Sequence, residues 1–216
     1  MEAPDIEFEF CISKETCEEL YKNAGKLIPE DEEQITIENH QHLLSDSVHL
    51  VIQEVLSENP LPFKLQDFQL LTLHALGSLQ NVILLSPTGS GKMICAYLGT
   101  LVLQKVLRIR KGVGLGTMPL SALMEEKLKC PLVKTGLITM SGDVKASIQE
   151  NDAFLSDPVA QFRTGDITVV LGHPESWLTS TAKEITDSLN QEGLIVGTFL
   201  DEFQMNLSNH WGNDFR

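Results

Sequence analysis

The sequence predicts an α/β domain built on a central, mostly parallel sheet flanked by helices, preceded by an acidic leader that is helical or partly disordered. Two observations predict it. From Phe63 onward, short apolar runs alternate with longer stretches of helical spacing, the order that βαβ units require. Ahead of them Asn59-Pro60-Leu61-Pro62 breaks the chain, which divides it into a leader, 1–58, and a core, 59–216.

Strands are expected near 82–86, 113–118, 137–140, 167–171 and 194–200, and helices over 67–79, 92–107, 120–128 and 179–191. The leader holds one amphipathic helix, 38–56, in which Leu43, Leu44, Val48, Val51, Ile52, Val55 and Leu56 recur at helical spacing. Its Glu30-Asp31-Glu32-Glu33 run reads as a solvated stretch, with a partner-binding role as the alternative. No internal repeat or low-complexity tract is visible.

Of the 216 residues, 42% are hydrophobic and 21% charged, enough apolar side chains for one sizeable core. No apolar run approaches the roughly 18 to 20 residues that span a bilayer, and no signal peptide opens the chain, so no membrane association and an intracellular site are expected. Cys11, Cys17, Cys95 and Cys130 are scattered, with no Cys-x-x-Cys pair, so neither a zinc site nor a disulfide framework is indicated and free, buried or half-buried thiols are expected. The net charge of −14 is uneven. Residues 1–58 carry fifteen acids against three bases, a balance of −12, which leaves the rest close to neutral at −2. The core is therefore compatible with a nucleic-acid groove without presenting a strong basic patch of its own.

The strongest local signal is Ser86-Pro87-Thr88-Gly89-Ser90-Gly91-Lys92, which follows an apolar run and opens a helix. Strand, glycine loop, lysine and helix is the order that a phosphate cradle requires. Glycines let backbone N–H groups close around the phosphates, the helix N-terminus adds a favourable dipole, and the ammonium adds a point charge. The next position, where a hydroxyl would ligate Mg²⁺, is Met93, a soft and weak ligand for a hard cation. At the carboxyl end of the 194–200 run stand Asp201 and Glu202, placed to hold a Mg²⁺ ion and to polarise a water respectively.

Taken together these segments resemble the motor core of superfamily two helicases, and within it the RecQ family. Asp201-Glu202-Phe203-Gln204 resembles the Asp-Glu-Ala-His box, with its third and fourth positions changed. Trp211-Gly212-Asn213-Asp214-Phe215-Arg216 is similar to the aromatic-rich loop through which RecQ helicases couple DNA contact to ATP hydrolysis, although the spacer ahead of it is two residues longer than usual. Pro119-Leu120-Ser121-Ala122-Leu123-Met124 resembles motif Ia, and His173-Pro174-Glu175 resembles the Thr-Pro-Glu of motif Ib with His in place of Thr. Gln69 stands at the separation from Lys92 of the adenine-reading glutamine, with the preceding aromatic and basic residues displaced to Phe63 and Lys64.

The resemblance spans about 63–216 and implies a RecA-like P-loop domain that binds ATP and Mg²⁺. It implies nucleotide contacts from Gln69, Thr88, Gly89, Ser90, Gly91, Lys92 and Met93, metal binding at Asp201, and catalytic roles for Lys92 and Glu202. Pro119, Ser121, His173, Trp211, Phe215 and Arg216 would meet DNA, a single strand or a junction. It further implies 3′-to-5′ translocation, a nuclear location and work in recombination or repair. In the family a second RecA-like lobe supplies an arginine finger, worth roughly 10³ to 10⁵ in rate, and the sequence stops at Arg216 before any such lobe. The lobe is expected to be nearly inactive in unwinding by itself. Two other readings stay open: a catalytically degenerate module that grips nucleotide or a partner, and an unrelated P-loop kinase or GTPase.

Overall fold

A computed structural model describes residues 44–84, 89–118, 132–141, 143–148, 151–154 and 157–201. The chain divides into two compact units, and all of the described residues belong to the unit Ile35–Asp201. In chain order its elements are α1 (Asp46–Glu58), α2 (Asp67–Gly77), α3 (Lys92–Val106), β1 (Val113–Thr117), β2 (Thr135–Ile138), β3 (Val144–Ile148), β4 (Asn151–Phe154), α4 (Pro158–Thr164), β5 (Val169–Gly172), α5 (Ser180–Gln191) and β6 (Ile195–Leu200).

The strands form one sheet in the order β4-β3-β2-β5-β1-β6. β2, β5, β1 and β6 run parallel, and β3 and β4 add an antiparallel hairpin beyond β2. The expected α/β class with a mostly parallel sheet flanked by helices is therefore observed. Among the described residues no helix is long and apolar enough to cross a membrane.

Period-two alternation sorts the sheet's side chains to two faces. Val170 and Ile138 join Val113, Leu115 and Phe162 in a cluster with Ala182, Ile185 and Leu189 of α5. Val169, Leu171 and Leu137 face the other way, into a cluster with Tyr97 of α3 and with Met118 and Val133. Strands covered on both sides are apolar throughout, and β2 and β5 are buried along their whole length. α3 is sandwiched in turn, because its Leu98 and Val102 pack outward against Val48, Ile52 and Val55 of α1 and Leu73 of α2. A helix lined by apolar neighbours on opposite sides belongs in the interior, and eight of its residues are buried. Asn59 ends α1 as the proline-flanked break predicts, and the helix ahead of that break packs into the same unit as the sheet.

Several expected elements need correction. Residues 82–84 carry no strand, and Ile83 is largely exposed. A strand exists only through its ladder, and among the described residues β6 is paired on its β1 side alone. β2 begins two residues before the expected 137, because Thr135 and Gly136 pair with Val169 and Val170, while Met140 lies beyond the strand and is exposed. The β3–β4 hairpin and α4 were not anticipated. α4 has strong local signals: the Asp157 side chain accepts from Ala160 N–H at 3.0 Å, Pro158 opens the helix, and Gly165 closes it at a φ of 80°. The expected helix 120–128 and residues 38–43 of the leader helix lie outside the described residues.

Candidate functional site

The glycine loop enters α3 through left-handed backbone. Gly89 has a φ of 83° and Gly91, the N-cap of α3, a φ of 86°, a region open to glycine and strained for other residues. Lys92 is the first residue of the helix. Ile94 N–H in that first turn donates to the Gly91 carbonyl at 3.0 Å, and the loop brings a helix start, its dipole and an ammonium together. Thr88 lies outside the described residues.

Gln69 holds this loop from beneath. Its side chain is buried, with Oε1 accepting from Gln66 N–H at 2.9 Å, the reciprocal half of a capping box at the start of α2. Its Nε2 donates to the carbonyls of Ser90 at 3.3 Å and Gly91 at 3.4 Å. Both ends of the amide are thus engaged inside the protein. A Cβ on Gly91 would stand 2.7 Å from Nε2, so the contact depends on glycine at that position as well.

Met93 packs, half-buried, against the cluster of Tyr97, Met118 and Leu137. The residues present fit a bound triphosphate better than its metal: the glycines, Lys92 and the helix start suit phosphate, whereas position 93 offers no hydroxyl oxygen. Asp201 is left as the described residue that could hold Mg²⁺, and among the described residues no cluster of three metal-ligating side chains occurs.

Asp201 follows the last residue of β6, anchored by its N–H to the carbonyl of Thr117 at 2.9 Å. The packing of α3 shows which end of the sheet Lys92 occupies. Gln104 lies at Gly112 beside Val196, Leu103 against Gly197, and Thr100 at Gly114 beside Phe199. As β6 advances from 196 to 199, the facing residues of α3 step back from 104 to 100, so helix and strand run antiparallel. Lys92 then lies about 12 Å beyond Thr100 along the helix, and Asp201 about 7 Å beyond Phe199 along the strand. Both stand at the carboxyl edge.

His173 occupies the same edge, directly after β5 and two strand spacings from Asp201, or about 10 Å. Its Nδ1 pairs with the Glu175 carboxylate, and its carbonyl accepts from Ser176 N–H at 2.9 Å to close the turn. Behind the turn Trp177 covers Gly172, where a Cβ would sit 2.8 Å from the indole Nε1.

Glu202, Pro119, Ser121, Trp211, Phe215 and Arg216 lie outside the described residues. Sequence reasoning missed the capping role of Gln66, although Gln-x-x-Gln ahead of an apolar run is a visible capping-box pattern. The expected free, buried thiol is observed at Cys95, one turn into α3, where burial pushes it up to about 11 against a smaller opposing hydrogen bond to Thr72. No protein-family model matches the chain, and no curated protein matches it.

Proposed function

We propose that this unit binds ATP and acts as the first motor lobe of a RecQ-like, 3′-to-5′ DNA helicase that works with a second lobe. The observation that supports it best is the left-handed turn at Gly89 and Gly91 that delivers Lys92 to the start of α3, at the same sheet edge as Asp201. A RecA-like P-loop domain is the arrangement this reading assigns to the α/β unit. Loop N–H groups and Lys92 bind the β- and γ-phosphates, and Gln69 holds the Ser90 and Gly91 carbonyls so that the loop keeps its shape. Asp201 holds Mg²⁺ through water, and the ion when bound offsets phosphate charge. Glu202 is assigned the attacking water on resemblance. DNA would pass across the carboxyl edge near His173, and a nuclear role in recombination or repair belongs to the same proposal.

The test is equilibrium binding of a fluorescent ATP analogue with and without Mg²⁺. Lys92→Ala should weaken binding by about tenfold or more, since a charge-assisted contact contributes roughly 1.5 to 3 kcal/mol. Asp201→Asn should reduce the Mg²⁺ dependence while leaving metal-free binding near its original level. Unchanged affinity in Lys92→Ala would remove the proposal.

One observation favours a second reading, a module that grips nucleotide without turnover: the Met93 side chain is spent on packing. With a second lobe present, Met93→Ser should raise Mg²⁺-dependent ATP hydrolysis if that packing is what limits turnover. No gain would remove the main support for the degenerate module.

A further inference from the structure

α1 meets α2 through a pair of histidines. The rings of His49 and His74 are nearly parallel, 16° apart with centroids 5.5 Å from each other, and His49 Nδ1 faces His74 Nε2 at 3.4 Å. The Gln53 amide, with its N–H toward the ring, donates to His49 Nε2 at 2.8 Å. That contact leaves the His49 proton on Nδ1, aimed at the lone pair of His74 Nε2, and places the His74 proton on Nδ1. His74 is 2% exposed, and its Nδ1 is buried with no hydrogen-bond partner. One turn of α2 beyond His74, Gly77 is covered by Val48, the residue before His49, and a Cβ there would come within 2.5 Å of it, so the two helices are in close contact along this seam.

The pair tolerates two ring protons and resists a third. A second proton on His74 would sit on Nε2, directly facing the N–H of His49, and its Nδ1–H would still have no acceptor. Other charges around the seam do not compensate. Asp46 lies one turn before His49 and is exposed. On α3, Lys105 is bound to Glu54 at 2.7 Å and Glu58 at 2.9 Å, further along α1. The Cys95 thiol of α3 stays protonated, and Asp67 stands at the far end of α2. The ring of His49 is the neighbouring group that opposes further charge on His74.

We propose that the His49–His74 pair is an acid-weakened latch: with both rings in single-proton form it tightens the docking of α1 on α2, and proton uptake loosens that docking, so that α1 opens more often while the sheet keeps its packing. Burial first, and His49 second, hold the His74 imidazole below its ordinary 6.5. A base depressed in this way costs the docked state nothing above 6.5. As pH falls from 6.5 toward the depressed value the undocked state binds the extra proton, so docking weakens through that window and not above it. The latch does not depend on what the carboxyl edge binds.

Hydrogen exchange of the whole chain at pH 7.5 and pH 5.5, corrected for intrinsic rates, tests it. Protection of the α1 amides should fall at the lower pH relative to those of β5, by at most about tenfold, since pH 5.5 lies one unit below the ordinary 6.5 and each unit is a factor of ten. His74→Leu should make α1 protection independent of pH. The proposal is overturned if α1 and β5 lose protection in step, if α1 protection does not change, or if the pH response survives in His74→Leu. Should that variant fail to fold, the wild-type ring signals decide by NMR: titration of His74 at or above 6.5 overturns the latch, and titration below it, with α1 loosening in the same range, supports it.

Discussion

A methyl group on Gly114 would stand 2.4 Å from the buried Thr100 Oγ1 and 2.8 Å from the half-buried Phe199 ring. Thr100 cannot yield readily, because its hydroxyl donates to the Ala96 carbonyl at 2.9 Å within a buried helix. Gly114→Ala should therefore destabilise the unit by about 1 to 3 kcal/mol, the usual cost of overpacking. Thermal unfolding followed by circular dichroism would read that loss, and an unshifted midpoint would mean that α3 is free to move off β1. Met93→Ser belongs to the same scale with the opposite cause. It removes a half-buried thioether from the cluster of Tyr97, Met118 and Leu137 and brings a hydroxyl toward apolar neighbours. Its cost is about 1 to 2 kcal/mol, a share of what full burial of a methionine contributes. Any gain in hydrolysis from that substitution has to be read against the lower stability.

At the scale of elements, α2 joins two parts of the unit, with Gln69 at its first turn holding the glycine loop and His74 in its last turn facing α1. Gln69→Leu keeps the volume and removes both interactions, so the start of α2 should fray with a loss of about 0.5 to 2 kcal/mol, typical of a lost cap. Faster hydrogen exchange over residues 66–70 without any nucleotide present is the expected result. Unaltered exchange there would show that Gln69 is not the tether. This bond pattern depends on how α2 packs against the loop, which explains why the sequence suggested a role for Gln69 from its distance to Lys92 without giving its partners. Strands with neighbours on both sides were legible because continuous apolar runs mark them, as in Val169-Val170-Leu171. Residues 82–84 have the same composition and form no strand, since pairing is a property of the partner and no local window contains it. The hairpin did leave a trace, the alternation of Val144, Ala146 and Ile148 with Lys145 and Ser147, but five residues are too short a window to separate a strand from a loop. Lys92 and Asp201 were readable from motif order. That they share an edge follows from the antiparallel run of α3 and β6, which only packing discloses.

On the scale of the whole molecule, charge and packing divide the N-terminal region at different places. Composition groups residues 1–58 as one acidic segment, whereas Val48, Ile52 and Val55 are buried in the same cluster as Leu98 and Val102. A chain starting at residue 44 should fold and one starting at 59 should be severely destabilised, because each of those side chains contributes about 1.5 to 3 kcal/mol by burial. Residues 1–43 carry twelve acids and three bases, so removing them changes the net charge from −14 to −5 while leaving that cluster intact. If the carboxyl edge meets DNA as proposed, the acidic segment opposes the approach of a polyanion through long-range repulsion, an effect that salt screens within about 10 Å at 0.1 M. The chain starting at 44 should then bind a single-stranded oligonucleotide more tightly than the full chain at low ionic strength, and the two affinities should converge as salt is added. A difference that persists at high salt would assign residues 1–43 a direct contact instead of a field, and equal affinities at low salt would place their charge too far from the binding edge to act on it.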